Sequence, residues 1–476
     1  MNQSDLHKLQ RITWYILIAS LPLTSMPLVK KIFGSDSVAS PAILFLLILV
    51  FLMLAGLVFK DRLLISSKTL PLALFCCVAT FVTLISFFLK TPAFKGFGQL
   101  NPIISAFATL GIGFLFFLVA SSFPVDIEVK KMTLKVINWS GLIILIWCVF
   151  QALAWYGTNH YPQWMFNIQG FLSERVLYRQ RVTGFALEPS WLAHQLNMLY
   201  LPLWLSATLT GYSSHSFRLN KISFENILLA GGVLSLGLTL SRVGFAAFLC
   251  MTALVIVLIH RHIVSAIESW VTVKLTPRIK LNRKSISLGI IVVYVTLVTL
   301  LVIIYSQVDP RMASLFKFSL NQDNLLLRYF NQLKFGDRVV YWLTGWNIFN
   351  KHPILGVGLG NAGFYFPQNI PAYGWSLSEV RRLLYRSHIL LNAKSLWFRL
   401  LAETGIIGFS LFIGWVFSLL ADFSGKYKST NPIERALGLA GILVVSGLIF
   451  EGLSIDSFAM PYWWITLGLA VTSYKN

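Results

Sequence analysis

Charged side chains at the borders of long apolar runs are the residues of this sequence best suited to chemistry. An ionised side chain at the centre of a bilayer costs on the order of 3 kcal/mol on insertion scales, so a charge kept beside an apolar run calls for a reason. Guanidinium groups bind pairs of phosphate oxygens and keep their charge at any accessible pH. A carboxylate at the same depth is able to accept a proton from a hydroxyl group. The charges of this kind are Arg181, Glu188, Arg242, Arg338, Lys394, Arg399, Glu403, Glu451 and Asp456.

Glu188 stands directly before Pro189 and a long apolar run. A proline in the first turn suits a helix start, and a carboxylate there interacts favourably with the helix dipole. The same carboxylate, within reach of arginines such as Arg181, is also placed to act as a general base. The sequence leaves the structural and the catalytic interpretation of Glu188 open. His194, on the same predicted helix, is typical of a packed, hydrogen-bonded core histidine.

Arg242 and Arg338 lie in segments that could present a guanidinium to an anion. Arg242 sits in a Ser-Arg turn between two short apolar runs. It is either an interfacial anchor that snorkels or a phosphate ligand that points into a bundle cavity, and we favour the cavity. Arg338 begins an amphipathic segment predicted to form a helix that ends near His352. A turn rich in glycine follows, whose backbone amides are able to cradle an anion; its glycines are Gly356, Gly358, Gly360 and Gly363.

A last charged stretch precedes and enters the next apolar run. Arg386, His388 and Lys394 lie ahead of the run, and Glu403 lies within it. Arg399 stands one helical turn before Glu403, so the two side chains are predicted to form an ion pair.

Long apolar runs extend through the whole chain, which has 476 residues, 56% hydrophobic and 12% charged. Soluble domains carry about a quarter charged residues, so most of this chain is predicted to face lipid. Runs close to the length of a membrane-spanning helix occur at about 12–29, 42–59, 69–89, 102–122, 136–156, 191–210, 225–240, 243–259, 286–307, 395–420, 436–455 and 458–473. The sequence therefore predicts an all-α, polytopic transmembrane bundle of about twelve spans. It forms a single membrane domain over residues 1–476, with spans at about 12–307 and 395–473. A long, partly helical loop at 308–394 faces outward.

Lysines and arginines in the short loops determine the predicted orientation. A cytoplasmic N-terminus places most short basic loops, and the dense 261–284 stretch, on the inside. Both termini are then cytoplasmic. The first run lacks a clear cleavage site of small residues, which favours an uncleaved first span over a signal peptide. The four cysteines lie within apolar runs and are not placed for a loop disulfide or a zinc site.

Two segments that are predicted to face outward are nevertheless basic, in a chain whose formal net charge is +21. The segment 157–190 holds three arginines, and the segment 308–394 holds ten lysines and arginines against four acids. Long loops escape the positive-inside rule, so the orientation stands. An anionic ligand explains the excess charge, and so does attraction to anionic lipid head groups. No basic stretch alternates with aromatic residues in a polar fold, so a nucleic-acid partner is not expected.

These stretches together resemble the O-antigen ligase/polymerase superfamily, which includes Wzy-type polysaccharide polymerases and O-antigen ligases. The Ser241-Arg242 turn is similar to the arginine that the family carries between two mid-chain spans. Asp337-Arg338 followed by HPILGVGLGNAGF resembles the family's arginine helix, proline and Gly-x-Gly signature. The resemblance covers roughly residues 180–410.

Two further stretches carry the resemblance. The residues from Asn392 to Gly408 look like the histidine-asparagine motif that leads into an AETG span. The segment beginning at Glu188 is similar to the EP segment that follows the fifth span in polymerase-like members. One position departs from the ligase pattern, because Lys394 stands where ligase-like members carry a histidine. Lysine is a poor base and a good diphosphate contact, so this departure favours a polymerase.

The resemblance implies a GT-C-like bundle that handles sugar repeat units on undecaprenyl diphosphate at the outer face of the bacterial inner membrane. It implies chemistry without a nucleotide sugar, a metal or another cofactor, and no DxD-type pair is present near the predicted outer face. Arg242 and Arg338 are expected to stabilise the diphosphate leaving group, and Glu188 is the candidate base. The substrate-binding candidates are Arg181, Lys394, His388, Arg386 and Glu403.

The expected partners are the lipid-linked oligosaccharide and membrane lipid, with a chain-length regulator as a further candidate. An O-antigen ligase that transfers polymer to a lipid A core is the first alternative. A transporter or flippase for polysaccharide or lipid carrier is the alternative from another class. Transporters tend to show repeated halves and charges at the bilayer midplane, whereas this sequence shows no repeated halves and Glu451 is its one charge placed away from the outer ends of the spans.

Overall fold

The computed structural model describes residues 3–34, 39–59, 64–88, 90–220, 222–274, 282–309, 313 and 336–472. Residues 310–312 and 314–335 of the predicted outward loop therefore lie outside the described residues. The first half of the chain forms α1 (Gln3–Ser20), α2 (Pro27–Phe33), α3 (Pro41–Val58), α4 (Thr69–Ser86), α5 (Leu100–Ser122), α6 (Ile127–Thr158), α7 (Gln163–Leu172), α8 (Pro189–Gln195) and α9 (Leu201–Thr210). A two-stranded antiparallel hairpin follows, made of β1 (Arg218–Leu219) and β2 (Ile222–Ser223).

The second half contains the helices that carry most of the candidate residues. They are α10 (Phe224–Leu238), α11 (Arg242–Lys274), α12 (Arg283–Val308), α13 (Gly336–Lys351), α14 (Ala362–Asn369), α15 (Ser378–Tyr385), α16 (Leu396–Tyr427), α17 (Pro432–Glu451) and α18 (Pro461–Val471). A short 3-10 helix, Ala372–Ser376, lies between α14 and α15. The predicted all-α membrane fold is thus confirmed.

Eight helices in the described residues are long and apolar enough to cross a membrane: α3, α4, α5, α6, α11, α12, α16 and α17. They correspond to eight of the twelve predicted runs. The other four runs form helices that are shorter, interrupted or more polar. The first run, predicted at 12–29, instead forms α1, which begins earlier and ends at Ser20, because Pro22 and Pro27 cannot continue a helix.

The predicted sixth span is one continuous helical rod whose middle is a π-helical turn, Leu196–Tyr200, between α8 and α9. Pro202 has no backbone N–H, so it cannot donate to the carbonyl of Met198. The hydroxyl of Thr466 on α18 donates to that carbonyl instead, over 2.7 Å. Such π turns often occur at functional sites, and this one lies two residues after His194.

Aromatic residues fill the core between α5, α16 and α18. Trp463 and Trp464 are buried and stack with their ring centroids 3.7 Å apart. Trp415 on α16 packs on Trp464 at 5.6 Å. Gly468 lies directly against Ala120 of α5, where an added Cβ would meet the alanine Cβ at 2.6 Å. Small residues allow helices in a membrane to approach closely, so this interface holds α18 against α5.

The ion pairs of the described lysines and arginines fall at two ends of the bundle. At one end Arg11 pairs with Asp126 over 3.4 Å, and Lys130 donates to the carbonyl of Thr472 over 2.6 Å. These segments belong to the short basic loops of the sequence. At the other end, Lys30 pairs with Glu174 over 2.9 Å. This second end, which also holds the 173–188, 239–242, 336–395 and 452–460 segments, is called the site end below.

Candidate functional site

The loop that joins α17 to α18, residues 452–460, brings together two arginines that are far apart in the sequence. Nη1 of Arg338 donates to Oγ of Ser454 over 2.8 Å and to its carbonyl oxygen over 3.2 Å. Nη1 of Arg399 donates to the carbonyl oxygen of Asp456 over 2.6 Å. The backbone amide of Leu396 donates to the carbonyl of Gly452 over 2.7 Å, which fixes the start of α16 against the same loop. The 452–460 loop is therefore the scaffold of the site.

The guanidinium of Arg338 is partly buried and lies among several carboxylates. Burial lowers the pKa of its guanidinium, and the nearby carboxylates of Glu379, Asp456, Glu188 and Glu451 act in the opposite direction. A guanidinium titrates so high that it remains charged at neutral pH despite this shift. Only Nη1 of Arg338 forms hydrogen bonds among the described residues. The remaining N–H groups are thus available to an anion.

Glu188 precedes the first residue of α8 and does not cap that helix with its side chain. Its Oε1 accepts a hydrogen bond from Nη1 of Arg175, and its Oε2 accepts from Oγ of Ser190 over 3.4 Å. The Glu188 side chain is 33% exposed and the Arg175 side chain 50%. The pair therefore lies at an accessible surface.

A buried polar network lies beneath this surface. Nδ1 of His194 is 3.2 Å from Oε2 of Glu451, and Nδ2 of Asn197 donates to Oε1 of Glu451 over 2.7 Å. The same Nδ2 lies 2.8 Å from the carbonyl of Gly244, in the first turn of α11. The Glu451 carboxylate thus joins α17 to α8 through His194 and to the π turn through Asn197, which in turn bonds α11. His194 was predicted to be a hydrogen-bonded core residue, and the structure confirms this.

Arg181 binds the turn between α10 and α11, just before Arg242. Nε of Arg181 donates to the carbonyl of Thr239 over 2.8 Å, and its Nη2 lies 3.5 Å from the carbonyl of Leu240. A cation at the C-terminal carbonyls of a helix is favourable. Leu240 has a φ of +49°, a left-handed conformation that turns the chain into α11. Arg181 therefore supports the turn from which the half-buried Arg242 begins α11.

Lys394 belongs to a cluster built around Glu379 and Tyr341. Its Nζ donates to Oε1 of Glu379 and lies 4.4 Å from the centroid of the Tyr341 ring. The hydroxyl of Tyr341 lies 3.5 Å from the same Glu379 oxygen. Burial and the neighbouring Glu379 raise the pKa of Asp337. The Lys394 amine is thus engaged as a hydrogen-bond donor to Glu379.

Glu403 pairs with Arg399, as the spacing predicted. The distance between Oε2 and Nε is 2.9 Å, and the two side chains are 4% and 12% exposed. The Arg399 guanidinium also lies 5.2 Å from the centroid of the Phe458 ring. Both residues line a cavity of about 390 Å³. Its other polar lining residues are Asn101, Ser105, Thr109, Asn392, Asp456 and Ser457.

The glycine-rich turn fastens the break in α16. Gly405, with φ of +61° and ψ of −166°, interrupts that helix. The amides of Val357 and Gly358 donate to the carbonyls of Ala402 and Glu403 over 3.0 and 2.9 Å. Non-helical backbone at membrane depth is tolerated where its polar groups find protein partners. The prediction that this turn cradles an anion is wrong for these two amides, because both already donate to carbonyls.

Arg386 and His388 lie apart from the Arg338 cluster in their contacts. Both side chains are exposed and line a second cavity of about 480 Å³ beside Trp375 and Tyr385. Among the described residues, no three histidine, cysteine, aspartate or glutamate side chains are grouped as metal ligands would be.

Taken together, the apolar helices are those of a multi-pass membrane protein. Residues 227–413 match the model of a family described as O-antigen ligase. This match confirms the predicted resemblance to the O-antigen ligase/polymerase superfamily over that range, and members of the superfamily are glycosyltransferase-like enzymes that take lipid-linked glycans. A search of curated proteins found no match. Arg242, Arg338 and Lys394 lie inside the matched range, whereas Arg181 and Glu188 lie before it.

Sequence reasoning missed several partners that shape the site. Ser454 and Asn197 are neutral residues with no motif around them, so nothing in the sequence marks them as partners of Arg338 and Glu451. Glu379 stood out only as one of the few acids in a basic loop. Glu451 and Asp456 did carry a signal, since each is a charge beside an apolar run.

Proposed function

We propose that this protein is a polymerase of lipid-linked oligosaccharide repeat units. The donor is a repeat unit on undecaprenyl diphosphate, and the acceptor is a hydroxyl group of a second lipid-linked glycan. The products serve O-antigen, capsule or exopolysaccharide synthesis. The observation that carries the proposal is the convergence of Arg338 and Arg399 on the 452–460 loop at the site end, because guanidinium groups from distant parts of the chain are the side chains that bind diphosphate oxygens.

The proposed reaction is a single glycosyl transfer. The acceptor oxygen forms a bond to the anomeric carbon of the donor sugar while the bond from that carbon to the diphosphate oxygen breaks. The hydroxyl proton passes to the carboxylate of Glu188. The electron pair of the broken bond stays on undecaprenyl diphosphate, whose added negative charge is stabilised by Arg338 and Arg242.

Other candidates support this step without taking the proton. Arg181 holds the turn that carries Arg242, through its bonds to the end of α10. Lys394, paired with Glu379, adds positive charge near Arg338. Arg399 and Glu403 form the wall of the 390 Å³ cavity, which is large enough for part of a ligand.

The proposal places the site end at the outer face of the bacterial inner membrane, with both termini in the cytoplasm. The short basic loops support this orientation, because lysine and arginine in short loops mark the cytoplasmic side. The diphosphate of the donor then lies at the membrane surface, level with the half-buried arginines.

An O-antigen ligase is the second candidate, and the description of the matched family favours it. The contacts of Lys394 argue for the polymerase. This residue occupies the place of the ligase histidine, yet it donates to Glu379 and lies over Tyr341.

The test replaces each diphosphate arginine in a strain that depends on this protein for polymer. Arg338→Ala and Arg242→Ala are expected to abolish polymer while single lipid-linked repeats accumulate, measured by gel electrophoresis of extracted glycolipids. Arg218→Ala, at an exposed position outside the site end, serves as the matched control. Polymer of normal length and amount in both site variants would refute this mechanism.

Deletion of the gene separates the competing functions. A polymerase strain then retains single repeats, whereas a ligase strain accumulates long polymer on its lipid carrier. A transporter is recognised by flux of labelled lipid carrier across liposomes that contain the purified protein.

A further inference from the structure

We propose that the second cavity at the site end is a subsite for an acidic glycan, whose sugar rings carry carboxylate or phosphate groups. The inference rests on the proposed function, since it names the class of polymer that the enzyme handles. The cavity has a volume of about 480 Å³, within the usual range for small-molecule pockets. It is formed by the loop before α5, the 3-10 helix and the end of α15. We call it the α15 cavity.

The α15 cavity is positively charged. Lys95, Arg386 and His388 line it, and none of its described lining residues is acidic. Arg381 and Arg382 on α15 add two exposed cations nearby. The one acid of α15, Glu379, pairs with Lys394 and does not line the cavity.

The cavity also presents aromatic surface. Tyr385 is 72% exposed and Trp375 is 36% exposed, and their ring centroids lie 6.4 Å apart. Large exposed aromatic residues beside each other form apolar faces with polar edges. The C–H faces of a pyranose ring pack against such surfaces, while its charged substituents reach the arginines.

The structure also keeps the cavity in shape. Nζ of Lys95 donates to the carbonyls of Leu383 and Ser387 over 2.7 and 2.5 Å. These are carbonyls at and just beyond the C-terminal turn of α15, where a cation is favourable. Lys95 itself has a φ of +52°, a strained conformation for a residue with a side chain. This strained lysine ties the loop before α5 to the end of α15 and so fixes one wall of the cavity, and backbone strain of this kind is typical of ligand sites.

Charge and concavity together favour a glycan over a lipid surface. Anionic lipid head groups would be attracted by a flat basic patch, and need no enclosed space flanked by aromatic rings. A glycan with one charge on each sugar would contact Arg386 and His388 while its rings fill the cavity.

Binding is tested with the full chain in nanodiscs of zwitterionic phosphatidylcholine, without any lipid-linked donor. The probes are hexagalacturonate, which is acidic, and maltohexaose, which is neutral. We expect hexagalacturonate to bind at least about tenfold more tightly, because charge-assisted hydrogen bonds contribute most of the difference. Its affinity should fall as salt is raised.

Matched variants locate the site. Arg386→Ala should weaken hexagalacturonate binding by about tenfold, and Trp375→Ala should weaken it as well, whereas Arg218→Ala should leave it unchanged. Equal affinity for the two probes, no binding of either, or wild-type affinity in both cavity variants would overturn the proposal.

A second version of the binding assay tests whether anionic lipid, and not a glycan, occupies the α15 cavity. The assay is repeated in nanodiscs that contain anionic phosphatidylglycerol. Loss of hexagalacturonate binding there, with Arg386→Ala altering lipid retention alone, would assign the cavity to lipid and overturn the glycan. Because no donor is present, failure here leaves the polymerase test unaffected, and a failed polymerase test leaves this binding result unaffected.

Discussion

The arginines at the site end differ in how many hydrogen bonds their guanidinium groups already form within the protein. Arg181 uses Nε and Nη2 on backbone carbonyls at the end of α10. Arg399 is bound to Glu403 and to the 452–460 loop. Arg338 donates through one nitrogen to one residue, Ser454. Among these three, Arg338 has the most remaining capacity for an anion, while the others shape the space around it.

The buried carboxylate of Glu451 provides a prediction at the residue scale. Glu451→Ala removes the partner of His194 Nδ1 and one of the two acceptors of Asn197 Nδ2, which keeps the carbonyl of Gly244. Each buried polar group left without a partner costs about 1–3 kcal/mol, so the thermal unfolding temperature of the purified protein should fall. Glu451→Gln retains an acceptor for Asn197 and should fall less.

Glu434→Ala is the control for this prediction, because Glu434 lies near the start of the same helix, α17, and is only partly buried. Equal unfolding temperatures for Glu451→Ala and Glu434→Ala, measured by a thermal shift assay in detergent, would contradict the structural importance of the network.

The element that most shapes the site is the broken helix α16. Its first part presents Arg399 and Glu403, and its second part crosses the bundle to Tyr427. At the break, the backbone of Gly405 lies directly against the glycine-rich turn. An added Cβ at Gly405 would lie 2.3 Å from the carbonyl oxygen of Ile354 and 2.7 Å from the amide nitrogen of Gly356. The glycine pattern of the sequence is therefore explained by the close docking of the glycine-rich turn against the break in α16.

Gly405→Ala should destabilise the protein for two reasons. The new Cβ collides with backbone atoms, and alanine is strained at a φ of +61°, which alone costs about 1–3 kcal/mol. Gly414→Ala on the same helix has open space around its Cβ and serves as the control. Thermal unfolding should occur clearly earlier for Gly405→Ala; coincident curves for the two variants would contradict the docking.

At the scale of the whole molecule, the ion pairs of the described lysines and arginines separate into two ends, and the proposed function requires these ends to face opposite sides of the membrane. In a variant lacking the native cysteines, Ser376→Cys should react with an impermeant maleimide added to whole spheroplasts. Thr430→Cys should react only after the membrane is permeabilised. Both positions are exposed, and the reverse pattern of labelling would contradict the orientation.

Much of the fold followed from the sequence, because apolar length alone marks a spanning helix. Eight predicted runs became such helices, and the pair formed by Arg399 and Glu403 followed from its spacing of four residues. The interrupted rod of α8 and α9 did not follow, since its π turn depends on Thr466, which is distant in the sequence.

The sequence predicted which charged residues belong to the candidate site, but it did not predict which of them contact each other or the same loop. Hydropathy identifies charged residues beside apolar runs as functional candidates, but it does not show which helices are neighbours. The convergence of Arg338 and Arg399 on the 452–460 loop depends on how α13, α16 and α17 pack, and the partners there are a hydroxyl and backbone carbonyls. Such groups leave no pattern in a single sequence.

The most direct test of the central claim is a kinetic cycle on the purified protein with a lipid-linked repeat as donor. Wild type, Arg338→Ala, Glu188→Gln and the double variant are compared by the rate of glycosidic bond formation. If both residues act on one transition state, each single variant loses nearly all activity and the double variant is little worse than the worse single one. A wild-type rate in either single variant, or fully additive losses, would contradict a shared site.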